Sequence, residues 1–598
     1  MAAAESCPPY SAWESPWPAA ACARPWAARA AGKAAAAVAA LCAPVVWRTE
    51  AMPSVSDVWG YRVVAALAVL ALTAVCLEQR LPRLHWADGV VLFWWVCVSL
   101  NYVFVSPYPA AEAYGKAMAL GVAYVALRLV IPFCGRAFTR LWWVGLCAAG
   151  GYELWTGFMQ LAGREASRHH LFDVTGTFFN PGPYAIFVAV VLAVSVAWWY
   201  RHGEVFAGRG RWSRVGAWSV AAVAVFCFPV LVATWSRAAW VAVAVAATCL
   251  LWKAHRRMVF WGMGVAVCAG VAAYFLKQGS ADGRLLMTMV AGRAWVGEWL
   301  CGHGLGGYAQ AYGAAQEAFF AARPGSPLSV VAGSPEYAFN GVLGVGVEQG
   351  VLGAVPALVL GLWSLAVLCR RGEVSAYGWL VLLVSSLFSY PFALWPFLSL
   401  AVAWVALAAS LEAGTAEVRW WKRTAVWPVV AVGGWCVWNL SDNTVRRVEA
   451  YEEFRRVRGV QDVAFLEDYR KKYEDLKAYP DFLFTFGTAL REAGRYNESN
   501  AMLRQGTRVS CDPVFYTLMG NNYRDLGAVA EAESAYRKAF GMLPGRMYPL
   551  YRLMKFYEAE GQMRKAEEMA RQIIAFRPKV DSPAVREMKN EAKKLTKR

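Results

Sequence analysis

The chain has 598 residues, 58% of them hydrophobic, with a mean hydropathy of +0.33. That is too apolar for a soluble protein of this size and predicts many membrane spans. A formal net charge of +18 would suit a nucleic-acid partner, but most Lys and Arg fall in short clusters between apolar runs, as membrane topology demands, so no nucleic acid is expected. The fourteen cysteines are mostly single residues inside apolar runs, such as Cys76, Cys97, Cys147, Cys227 and Cys268. With no Cys-x-x-Cys or His-x-x-x-His spacing, they read as small hydrophobes; neither a metal nor another cofactor is expected.

Residues 1–30 are rich in Ala, Pro and Trp and show no cleavable leader, so they read as a flexible cytoplasmic tail. Apolar runs follow near 31–47, 59–77, 88–106, 115–133, 141–161, 183–200, 215–235, 238–252, 259–276, 341–369, 376–390, 396–411 and 424–440. Their lengths predict about 12–13 transmembrane helices. Basic clusters occupy alternate gaps: Arg80 and Arg83; Arg136 and Arg140; Arg201 to Arg214; Lys253 to Arg257; Arg370 and Arg371; Arg419 to Arg423. The alternation puts the amino terminus in the cytoplasm and the segment Gly283–Gly353 outside. An odd number of spans puts the carboxyl terminus outside as well.

The long loop at 277–340 holds charges, prolines and glycines, yet also many aromatics. A disordered linker would be poorer in Trp, Tyr and Phe. Two readings stay open, a lid over a membrane site and a structured connector.

After about residue 445 charge rises and the apolar runs stop. Gly494, Gly527 and Gly561 recur about every 33 residues within similar helical stretches, and Pro480, Pro513 and Pro578 mark the edges. This is the spacing of tetratricopeptide repeats, predicted over 445–598 and able to bind a protein partner. The expected fold is therefore all-α: a polytopic membrane domain over 31–440, then a small helical repeat domain outside.

Polar groups near membrane depth are the candidates for chemistry. The gap before the sixth run contains Thr175-Gly-Thr177 and Asn180-Pro-Gly-Pro, a turn able to present backbone N–H groups and the Asn180 amide, or simply to start a helix. Arg237, in Thr234-Trp-Ser-Arg237, lies between two apolar runs with almost no gap. It is either a snorkelling arginine or half of an anion clamp with Arg284, at the start of the loop. Arg293 follows on the same stretch. No Gly-x-x-x-x-Gly-Lys is present to bind ATP.

The ordered set TGTFFNPGPYA (Thr175–Ala185), WSRAAWVA (Trp235–Ala242), GRLLM (Gly283–Met287), GHGLGGYAQAY (Gly302–Tyr312) and FNGVLGVGVEQGVLG (Phe339–Gly353) resembles the O-antigen ligase family. That superfamily includes O-antigen polymerases and bacterial O-oligosaccharyltransferases. The resemblance covers roughly residues 30–440. It implies a Gram-negative inner-membrane enzyme that moves a glycan from an undecaprenyl-diphosphate carrier to a periplasmic acceptor hydroxyl, of lipid A-core type, without metal or ATP. A polymerase or a transferase to protein Ser/Thr is the alternative within the family; a non-catalytic scaffold or a transporter is the alternative outside it. Arg237 and Arg284 match the arginines that hold the carrier diphosphate; Thr177, Asn180 and Asn340 fall in matched motifs. Where the family commonly has a histidine, this chain has Tyr337, in Pro335-Glu336-Tyr337. Tyrosine is a poor base at neutral pH, so Glu336 is the expected acceptor base and Tyr337 a hydrogen-bonding or stacking group. His303, or His169 and His170, are the other candidates for that role.

Overall fold

The computed structural model describes residues 54–77, 80–107, 110–207, 211–252, 278–417, 426–457, 465–578 and 581–597, with a few single positions between 252 and 278. The expected tail and the runs at 31–47 and 259–276 lie outside the described residues. Within them the chain is all-helical apart from one short antiparallel ribbon.

The apolar half contains α1 (Ser54–Leu77), β1 (Arg80–Pro82), α2 (Trp86–Phe104), α3 (Ala111–Cys134), α4 (Arg136–Leu161), α5 (Pro181–Ala207), α6 (Arg211–Ala233) and α7 (Arg237–Leu251). After the loop helices α8 (Gln278–Gly297) and α9 (Tyr308–Ala321) come α10 (Gly341–Arg370), α11 (Ser375–Ser386), α12 (Trp395–Ala413) and β2 (Thr415–Glu417). Seven of these, α1, α2, α3, α5, α6, α10 and α12, are long and apolar enough to cross a membrane, and α7 and α11 are shorter apolar helices. Helices satisfy their own backbone polar groups, which is why apolar runs of this length can sit in hydrocarbon. Tyr184, Phe187, Phe397 and Trp404 are buried in the bundle core, while Leu92, Phe93, Val96 and Leu100 on α2 and Val225, Phe226 and Phe228 on α6 face outward. Such outward apolar bands fit lipid. The run at 141–161 lies in α4. The run at 424–440 lies mostly in α13 (Val426–Val457), which continues unbroken past residue 440 into the charged half.

Contacts define two ends of the bundle. At one end β1 pairs with β2, and the Arg83 N–H donates to the Gly414 carbonyl at 3.2 Å. Buried Arg128 forks onto both Asp88 oxygens at 2.8 and 2.9 Å, and also donates to Ser410 and to the Arg83 carbonyl. Tyr124 donates to the same carboxylate, so this buried charge is fully partnered. At the opposite end the Asn101 amide, near the end of α2, donates to the Cys301 carbonyl at 2.7 Å and accepts from the Leu305 N–H at 3.0 Å. These bonds pin the loop onto the bundle.

The loop is ordered. α8, α9 and a 3-10 turn at Pro327–Val331 pack around Leu286, Val290, Tyr312, Phe319 and Phe320. Cys511 and Met542, from far along the chain, complete that core. Inside α10, Gly350 takes φ 63° and breaks the helix; a Cβ there would lie 2.2 Å from the Leu300 carbonyl oxygen. The kink frees the Val351 N–H to donate to the Trp299 carbonyl at 2.9 Å.

The charged half continues with α14 (Leu466–Leu476), α15 (Pro480–Glu492), α16 (Tyr496–Val509), α17 (Val514–Asp525), α18 (Val529–Met542), α19 (Met547–Ala559), α20 (Met563–Ala575) and α21 (Pro583–Leu595). Gly494, Gly527 and Gly561 turn α15 into α16, α17 into α18 and α19 into α20 with φ of 73°, 72° and 70°, a left-handed geometry that favours glycine. Small residues let the helices cross closely, as where Gly506 meets the Phe515 ring. The helix pairs bury Phe454, Tyr469, Phe482 and Leu503 in one core and Tyr536, Phe556, Tyr557 and Ile573 in the next.

Candidate functional site

The site begins at a strained turn. Trp235, with φ 52°, is the only non-glycine residue with positive φ among the described residues. Left-handed geometry of this kind in a bulky residue persists only where its surroundings enforce it. Here the Leu231 carbonyl accepts from the Trp240 indole N–H at 3.0 Å and from the Thr234 hydroxyl at 2.7 Å, which fixes the turn. The turn makes Ser236 the N-cap of α7 and Arg237 its first residue. A helix N-terminus adds its partial positive charge to that of the guanidinium.

Arg284, on α8, is near enough to Arg237 to feel its charge. Its guanidinium is held below the usual range by burial first and by the positive charge of Arg237 second. Arg284 also lies 5.8 Å from the centroid of the Phe339 ring. Phe339 is edge-on to Tyr390 at 5.1 Å, and Tyr337 stacks on Tyr390 at 5.2 Å with the rings 14° from parallel. Arg284, which feels the charge of Arg237, therefore adjoins a shelf of three aromatic rings.

Asn340 fixes that shelf. Its side-chain oxygen accepts from the Val342 and Leu343 N–H groups at 3.0 Å each, capping α10. Its amide donates to the Leu387 carbonyl at 3.2 Å. The cap thus ties the segment carrying Tyr337 and Phe339 to the end of α11.

Glu336, next to Tyr337 in the chain, is exposed. Crowding by the surrounding protein, then the Asp481 carboxylate, raises its carboxyl above the usual range. Tyr337 is pushed up to about 12 by burial, against the opposing pull of Lys116. The tyrosine thus stays neutral at physiological pH, able to donate a hydrogen bond but not to act as a base.

Lys116, Glu112, Asp57, Tyr390 and Asp481 are the neighbours that the sequence reading did not single out. Lys116 pairs with Asp57 at 2.9 Å, and the other Asp57 carboxylate oxygen is buried without a hydrogen-bond partner. One turn earlier on α3, Glu112 accepts from the Tyr479 hydroxyl at 2.9 Å and faces Arg447 at 3.4 Å. A lysine and a glutamate at the head of a largely apolar helix were the available signal.

The remaining candidates have other duties. Thr177 is buried, and its hydroxyl and N–H both donate to Glu153, at 2.6 and 3.0 Å. Asn180 accepts from the Gly182 N–H at the start of α5, the helix-starting role. A His303 ring nitrogen is 2.9 Å from the Ala294 carbonyl, and Arg293 lies over Phe319 at 5.5 Å. Both line a separate open pocket with Gly307 and Gln310. Arg293 is nine residues from Arg284 on α8, which puts them about 13 Å apart along the axis and on opposite faces. His169 and His170 stack on each other at 4.9 Å, in the loop before α5.

No protein-family model matches the chain, and no curated protein matches it. A paired cationic seat, an aromatic shelf and a carboxylate together suit a ligand that is part polyanion and part sugar: guanidinium forks grip phosphate oxygens, and rings stack on sugar C–H faces.

Proposed function

We propose that the protein is a membrane glycan transferase of the O-antigen ligase type. Its donor is a glycan on an undecaprenyl-diphosphate carrier, and its acceptor is a periplasmic hydroxyl. The observation that carries this reading is Arg284 set over Phe339, beside Tyr390 and Tyr337, within the field of Arg237. The positive charge of Arg237 acts on Arg284, so a polyanion seated near both would be attracted by both guanidinium groups. A diphosphate is such an anion, and its attached sugar would lie along the aromatic shelf.

In the reaction the acceptor oxygen attacks the anomeric carbon of the glycan. The bond from that carbon to the diphosphate oxygen breaks, and undecaprenyl diphosphate leaves with the electron pair. Arg237 and Arg284 stabilise the charge that grows on the leaving group. The acceptor proton passes to Glu336, whose raised carboxyl is better matched to that task than an ordinary surface glutamate. Tyr337 orients the sugar by stacking and by donating its hydroxyl.

The topology supports the same reading. Arg80, Arg83, Arg136, Arg201, Arg370 and Arg371 fall at the ribbon end of the bundle, which we assign to the cytoplasm of a bacterial inner membrane. The Arg237–Arg284 site, the loop and the helix pairs, which we read as tetratricopeptide repeats, then face the periplasm. The test is transfer from purified undecaprenyl-diphosphate-linked glycan by full-length protein in lipid nanodiscs. Loss of transfer in folded Arg237→Ala and Arg284→Ala supports the assignment, and normal transfer in both overturns it.

A further inference from the structure

We propose that the pocket between α8 and α9 seats the phosphate of an anionic membrane phospholipid, whose chains lie along Val296, Trp299 and Leu300. The pocket measures about 350 Å³, in the lower part of the range for small-ligand sites. Arg293, His303 and Gln310 supply its polar groups, over a floor that is otherwise alanine and glycine. None of the lining residues is acidic. Among the described residues no carboxylate pairs with Arg293, whose guanidinium is steadied over the Phe319 ring at 5.5 Å. The bond between a His303 ring nitrogen and the Ala294 carbonyl holds that ring in the wall. A guanidinium fork and an amide donor beside a floor of small residues suit the oxygens of a phosphate.

Hydrogen bonds set the depth of this pocket. The turn that follows α8 is tied to α10 on both sides of the Gly350 kink. The His303 N–H donates to the Val347 carbonyl at 2.8 Å, and the Trp299 carbonyl accepts from the Val351 N–H at 2.9 Å. From Val351 to Arg370 α10 runs on for about 30 Å, the thickness of a hydrocarbon layer. The turn therefore stands at the edge of that layer on the loop side, and the pocket beside it stands among the lipid headgroups.

The apolar surface below the pocket is continuous with the lipid-facing band of α2. Val296, Trp299 and Leu300 are exposed, as are Leu100, Val103 and Phe104. Asn101, between those α2 residues, donates to the Cys301 carbonyl and so joins the two surfaces. Arg293 is three residues before Val296 on α8, which puts cation and apolar patch on neighbouring positions of the helix. A phospholipid has the same order of parts, a charged phosphate followed by apolar chains. A choline headgroup would bring its own cation against Arg293, so a lipid of net negative charge is favoured.

The test uses full-length protein in phosphatidylcholine nanodiscs. These are doped, below saturation, with phosphatidylglycerol whose acyl chain carries a photoreactive group. After illumination, labelled peptides are mapped by mass spectrometry. Label is expected on Val296 to Leu300. It should fall about tenfold in Arg293→Gln, the loss of one charge-assisted hydrogen bond. Ala314→Trp fills the pocket, leaves every charge in place and should lose label to a similar extent, so the test stands even where Arg293→Gln fails to fold. Unchanged labelling in the folded variants overturns the site. Equal labelling by a photoreactive phosphatidylcholine with the same chains would mean that lipid merely covers the patch, and overturns it too. Full displacement by inorganic phosphate at the lipid's own concentration would make a free phosphate the occupant and overturn the lipid assignment.

Discussion

Arg284→Ala separates binding from folding. Within the fold Arg284 gains little from the contacts seen: a ring contact with Phe339, worth about 0.5–1 kcal/mol, against repulsion from Arg237. Removing it loses the first and relieves the second, so the net change in stability is expected within about 1 kcal/mol, a shift of a few degrees in Tm at most. With the donor bound the balance differs. Truncating one partner of a desolvated charge-assisted contact costs about 2–5 kcal/mol, which is about 30- to 5,000-fold in rate. Arg284→Lys keeps the charge but loses the fork, and should recover only part of that. The assay is single-turnover transfer from radiolabelled carrier-linked glycan, beside a thermal melt of the same samples. Transfer within threefold of wild type in a folded Arg284→Ala protein would refute the clamp. A large fall in Tm would refute the premise that Arg284 adds little to folding.

Three other expectations follow from the same geometry. Because the Glu336 carboxyl is raised above its ordinary 4.5, the folded chain holds that proton more tightly than the unfolded chain. Its contribution to stability is therefore full below 4.5 and is lost as pH rises through the raised value, while the base form gains over the same interval. Transfer should accordingly climb with pH just above 4.5, and that limb should vanish in Glu336→Gln but persist in Tyr337→Phe; the reverse pattern would move the base to Tyr337. Asp88→Ala leaves Arg128 buried and unpaired, so about 3–5 kcal/mol of stability should be lost, seen as a large fall in Tm, and an unchanged melt would contradict the fully partnered reading. A reporter that works only outside the cytoplasm, fused after Arg598, should be active, and activity of a cytoplasm-only reporter there would invert the assigned orientation.

The apolar runs were legible because span length and hydropathy are properties of single segments. α1, α3, α5 and α12 lie close to where the runs placed them, with ends differing by a few residues. The end of the last run was not legible: α13 passes straight from apolar to charged sequence, since a change of solvent need not break a helix. Arg237 stood out because it sits between two apolar runs with almost no gap, and Arg284 because it opens the long loop. Tyr390 did not, since a tyrosine after an apolar helix looks like core until Tyr337 is found stacked on it. Lys116 and Asp57 are 59 residues apart, and only folding joins them. Thr177 shows the converse: its motif marked an outer turn, but the buried Glu153 that takes both its hydrogens lies 24 residues away, beyond the reach of local pattern.

The unbroken helix α13 fixes more than distance. Its 32 residues make a rod about 48 Å long that begins among the apolar helices and ends in the core of the first helix pair, where Phe454 is buried. A rod transmits rotation as well as position. Adding one residue within it would turn everything beyond by about 100° and carry Tyr479 away from Glu112, whereas adding seven would nearly restore the facing but lift it by about 10 Å. The Tyr479–Glu112 contact is therefore indexed to the apolar helices like the hand of a clock to its spindle, held by helical phase.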